Sequence, residues 1–100
     1  MLYSGKKIVG RIRSHIKKRG GAYSAWVVGI SKEPRGSLFT KHGVRRVGDF
    51  WILIHAETHA VARKVRCYLT SKLSLIRGSG VQDPEADFVY AYRKSANTKP

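Results

Sequence analysis

The chain has 100 residues, room for one domain with a modest core, and an apolar content of 42% that suits a folded rather than a disordered protein. Its charge is extreme: 20 Lys and Arg stand against 6 Asp and Glu, a net of +14. No apolar run approaches the ~18 residues needed to span a bilayer; no apolar segment follows the basic N-terminus as in a secretory signal; and Cys67, the one cysteine, excludes an intrachain disulfide. A single domain over residues 1–100 in the cytoplasm is the expectation.

Residues 1–19 predict a basic helical arm. Ile8, Ile12 and Ile16 recur every four residues, with Leu2 and Val9 adding apolar surface. Lys6, Lys7, Arg11, Arg13, Lys17, Lys18 and Arg19 fill the other faces, and Gly20-Gly21 ends the pattern. Three isoleucines make a thin stripe, better suited to packing on a core than to holding a membrane surface.

Residues 25–30 (AWVVGI) read as a buried strand. Residues 31–34 form a turn, and 35–42 predict a two-turn helix that directs Leu38 and Phe39 inward and ends at a left-handed Gly43. Residues 50–56 (FWILIHA) are apolar almost throughout, as in a central strand covered on both faces. Thr58 caps a helix to about residue 71, with Val61, Val65, Tyr68 and Leu69 as its apolar stripe and Cys67 a small buried side chain beside it. Residues 73–87 read as irregular. Residues 88–92 (FVYAY) alternate, placing Phe88, Tyr90 and Tyr92 on one face of a strand that, at an exposed edge, could pair with a second copy, though nothing in the sequence requires it. Residues 93–100 read as a mobile tail. The expected fold is therefore α/β (α+β): a three-stranded sheet flanked by three helices, in the order helix, strand, helix, strand, helix, strand.

Catalytic and metal-binding patterns are sparse. Asp83, Glu85 and Asp87 share a loop but lack a calcium-loop pattern, so a solvated loop is the plainer reading. His42, His55, His59 and Cys67 lack zinc-site spacing, and the glycines match no phosphate-binding loop. No cofactor is implied, and the balance points away from an enzyme.

What the chain offers is cations interleaved with aromatics. An excess of this size is compensated by a phosphate backbone, where each neutralised phosphate releases counterions. An acidic protein partner, an anionic membrane surface and plain solubility are the competing readings. The cations of the helical arm, Arg35, the loop pair Arg45 and Arg46, and Arg63 with Arg66 are the candidate phosphate contacts. Tyr23, Tyr90 and Tyr92 are the candidate stacking residues, weighed against a place in the core.

From Trp26 on, about 45 residues resemble the GIY-YIG nuclease family. Val27-Val28-Gly29-Ile30-Ser31 is similar to that family's Tyr-Ile-Gly-x-Thr strand, a short helix follows and ends near His42, and Ala60-Val61-Ala62-Arg63 is similar to the helix bearing its metal-binding glutamate. The family's first tyrosine strand has no counterpart beyond Gly21-Ala22-Tyr23, which is too close. Its second tyrosine falls on Val27, its catalytic arginine on Ser37 with Arg35 nearby, and its metal glutamate on Arg66. The resemblance implies the fold and a DNA surface, with the nuclease chemistry lost; a metal-dependent nuclease with an atypical site and a small inhibitor docking on an acidic protein are the alternatives.

Overall fold

A computed structural model of the chain describes residues 3–20, 22–33, 36–44, 50–78, 85–94 and 98. Helix α1 (Gly5–Arg19) starts at Ser4, whose extended backbone and side chain cap the first turn, and stops at Gly20, whose φ is +86°. A short 3-10 turn (Tyr23–Ala25) leads into strand β1 (Trp26–Ser31). A single wide helical turn (Gly36–Lys41) replaces the two-turn helix expected there, and Gly43 at φ +69° takes the left-handed position. Strand β2 (Trp51–His55), helix α2 (His59–Lys72), the two-residue strand β3 (Ile76–Arg77) and strand β4 (Phe88–Arg93) complete the order.

Among the described residues the sheet has four strands, in the order β2-β4-β1-β3. β4 runs antiparallel to both β1 and β2, while β3 lies parallel to β1. Three sequence expectations are corrected. The sheet gains β3 inside the stretch read as irregular; two residues are too few to show a period, and the strand is fixed by buried Leu75 and by Gly78 N donating to Val28 O at 2.9 Å. The central strand is β4, not residues 50–56, so Phe88–Arg93 has no open edge for a second copy. β2 is apolar on both sides because each sheet face is covered, yet it lies at an edge and only Ile54 in it is buried. Arg93, expected in the tail, pairs with Trp26, and Lys94 N donates to Ala25 O at 2.8 Å.

Strand alternation splits the core in two. On one face Ile8, Ile12 and Ile16 of α1 and Ala62, Val65 and Leu69 of α2 pack on Trp26, Val28, Ile54, Val89 and Ala91. On the other, Leu38 and Val44 cover Val27, Tyr90 and Tyr92. Each fully buried isoleucine of α1 contributes about 1.5–3 kcal/mol, so the helix is held by its stripe and not by its charged faces. In α2, Thr58 accepts from Val61 N at 3.1 Å, as a cap should. The buried stripe there falls on Ala62, Val65 and Leu69, which leaves Tyr68 42% exposed and Cys67 exposed; both had been expected to face inward. Alanine at position 62 lets the helix sit close to the sheet; Tyr68 falls to the side of the stripe and Cys67 opposite it, so both turn out to solvent.

Among the described residues no helix is long and apolar enough to cross a membrane.

Candidate nucleic-acid interface

The isoleucine stripe turns one side of α1 into the core and leaves Lys6, Lys7, Arg11, Arg13, Lys17, Lys18 and Arg19 exposed on one element. The helix contains no acidic residue, and among the described residues no carboxylate is ion-paired with these cations; the described pairs are Lys32 with Glu85 and His55 with Asp87. This arrangement works against the helix itself. Lys6 and Lys7 stand at the positive end of its dipole. Lys7 with Arg11 and Arg13 with Lys17 are like-charge pairs four apart, each unfavourable by about 0.2–0.5 kcal/mol.

Two arginines are held in place by tyrosines. Arg11 donates from Nη1 to the Tyr3 hydroxyl at 3.2 Å and lies 4.9 Å above that ring. Arg13 donates from Nε to the Tyr23 hydroxyl at 3.4 Å, a contact that raises the guanidinium pKa further above its ordinary value. Arg19 lies 5.4 Å over the Phe50 ring. Open grooves of about 670 Å³ flank the helix on each side: one is lined by Tyr3, Lys7, Arg11, His15 and Lys18, the other by Arg13, Lys17, Ala22 and Tyr23. Half-buried Tyr23 therefore stands beside a cationic groove. Tyr3, its counterpart on the other flank, had no sequence signal, because it precedes the helical period.

His15 lies at the edge of the first groove, with its ring edge-on to Trp26 at 5.4 Å. Its buried Nε2 has no hydrogen-bond partner among the described residues. Burial, then Arg19 and Lys18, lower its pKa below the ordinary histidine value.

Arg63 and Arg66 do not join this surface. Val61, beside Gly5 of α1, marks the side of α2 that faces the first helix. Arg66 sits on the other side and couples to Arg77 of β3 and to Arg63; burial first, and then these two charges, lower its pKa. Arg77 was not singled out from sequence, since the strand carrying it was not visible there. Arg35, Arg45, Arg46 and Asp83 lie outside the described residues.

Tyr90 and Tyr92 are corrected from stacking candidates to core. Tyr92 is fully buried and Tyr90 3% exposed, and their hydroxyls lie 2.9 Å from Nδ1 and 2.8 Å from Nε2 of buried His42. Burial pushes the Tyr90 phenol up to about 12 and the Tyr92 phenol higher still. The Tyr90 hydroxyl also packs on the Gly29 backbone, where a Cβ would come within 2.3 Å of it. Only glycine fits at that position.

The remaining histidines serve the fold as well. His55 meets Asp87 at 2.7 Å and stacks on Phe88, while His59 Nδ1 donates to Ala86 O at 2.7 Å. The residues at the positions implied by the nuclease resemblance do not fit a divalent cation, because Arg66 stands at the glutamate position with Arg63 and Arg77 around it. Val27, at the tyrosine position, is buried in the core. No family model, no curated protein and no solved structure matches the chain.

Proposed function

We propose that the protein binds nucleic acid through phosphate contacts made by α1, without catalysing a reaction on it. The observation that carries this reading is the exposed surface of α1: seven exposed cations on one helix with no carboxylate among them, six of them on the side away from the buried isoleucine stripe. Such a surface gains by releasing the counterions of a polyanion. Tyr3 and Tyr23 limit the freedom of Arg11 and Arg13, which lowers the entropy lost when the arginines fork to phosphate oxygens. Of the groups that acid–base chemistry would use, His42 is bound to two tyrosines, Asp87 to His55 and Glu85 to Lys32.

The test compares two charge-neutralised variants on mixed-sequence DNA and RNA. Replacing the α1 cations by glutamine should weaken binding to every sequence, on the order of 10,000-fold at 0.1 M salt. Neutralising Arg63, Arg66 and Arg77 at the far edge should change it only a few-fold. Unchanged binding by the α1 variant would overturn the reading, and a nuclease-resistant complex with an acidic protein would replace it.

A further inference from the structure

We propose that α1 lies in the major groove of duplex DNA, with one row of cations against the phosphates of each strand; this rests on the nucleic-acid reading above and names its substrate class. At 3.6 residues per turn, Gly10 and Ser14 fall diametrically opposite the midline of Ile8, Ile12 and Ile16. Arg13, Lys6 and Lys17 lie about 40–80° to one side of that crest, and Lys7, Lys18 and Arg11 about 40–80° to the other. The surface agrees: Gly10 and Ser14 border both grooves, whereas Lys7, Arg11 and Lys18 occur in one and Arg13 and Lys17 in the other.

The dimensions match a duplex. Each row runs over 11 residue steps, about 16 Å, close to five base-pair steps at ~3.4 Å. A helix with its side chains is about 10–12 Å across, and the major groove of B-form DNA is about 12 Å wide. The crest is small and clear, with nothing within 4 Å of a Cβ built on Gly10, so the helix can approach the groove floor while the two rows reach the rims. Glycine reads no base edge and Ser14 offers a single hydroxyl, so sequence preference is weak. Tyr3 and Tyr23 anchor Arg11 and Arg13 on opposite flanks, one for each strand.

Other polyanions use this geometry less well. A single strand engages one row at a time. The major groove of A-form RNA is deep and too narrow to admit the helix. An anionic bilayer needs an apolar face to insert, and the apolar face of α1 is already spent on the core.

The experiment measures anisotropy of labelled 20-mers of one sequence as duplex DNA, single-stranded DNA and duplex RNA. A fourth probe is the DNA duplex with glucosylated 5-hydroxymethylcytosine filling its major groove. Duplex DNA should bind at least about tenfold more tightly than the other three. The Lys6/Arg13/Lys17→Gln and Lys7/Arg11/Lys18→Gln variants should each lose a similar factor, on the order of 100-fold on duplex DNA at 0.1 M salt. Equal binding to the filled and unfilled duplexes, or one dispensable row, would overturn the inference. Salt-sensitive binding to all four probes without preference would sink the groove assignment and leave the nucleic-acid reading standing. No binding to any probe would end both.

Discussion

The contact between His42 and its two tyrosines can be tested by removing its members singly and then together. A neutral imidazole has one donor and one acceptor nitrogen. With Tyr90 2.8 Å from Nε2 and Tyr92 2.9 Å from Nδ1, one hydroxyl donates to the bare nitrogen and the other accepts from the N–H. Tyr92→Phe takes one partner from the His42 ring in a site that is 2% exposed, at a cost of about 1–3 kcal/mol. His42→Leu takes the ring away from both hydroxyls and should cost about twice that, ~2–6 kcal/mol. A domain of this size holds roughly 5–15 kcal/mol in total, so the second change removes a large share. The triple variant His42→Leu/Tyr90→Phe/Tyr92→Phe removes the polar groups of this contact together and should be destabilised by less than the sum of the single losses. Urea unfolding at constant slope gives the values, and each 1 kcal/mol corresponds to about 4–8 °C in Tm. A neutral His42→Leu, or a triple variant destabilised by the sum of the single losses, would refute the reasoning.

Alkaline pH tests the same site. The raised phenol pKa values of Tyr90 and Tyr92 mean that the folded state keeps protons the unfolded state has lost. Stability should be intact below about pH 10 and fall as pH rises toward 12, by up to ~1.4 kcal/mol per unit for each phenol; two of the five tyrosines staying un-ionised at 295 nm until unfolding would show it. For His15 the sign reverses, because its folded pKa lies below its unfolded value of about 6.5. Stability should decline as pH falls through that range, and His15→Phe should flatten the decline in pH-dependent melting curves. Thr58→Ala should cost about 1 kcal/mol through its 3.1 Å cap, and Ser4→Ala less, because its bond to Lys7 N is 3.5 Å long. Equal losses in chemical unfolding would argue against ranking these caps by distance.

Local chemistry was legible in the sequence and long-range pairing was not. The four-residue recurrence of Ile8, Ile12 and Ile16 sets the buried side of α1, and Thr58 and Gly43 mark a helix start and a left-handed stop, because each signal lies within a few residues of its effect. Alternation in residues 88–92 puts Tyr90 and Tyr92 on one face. It says nothing of His42, 48 positions before Tyr90, which closes that face. Whether a strand is central depends on which partners pair with it, so the apolar run at β2 was a poor guide beside the more polar-looking β4. Of the candidate site, the cations of α1 were readable from composition and period. The tyrosine holding Arg11 and the place of Arg77 near Arg66 arise only on folding.

The most direct measurement is the salt dependence of binding to duplex DNA between about 50 and 200 mM salt. Two rows of three cations, each releasing about 0.9 counterion, give a log–log slope near −5. A slope close to that value, reduced by about half when either row is neutralised, is the expected result. A slope shallower than about −2, or one indifferent to the α1 charges, would contradict a phosphate-binding role for this helix.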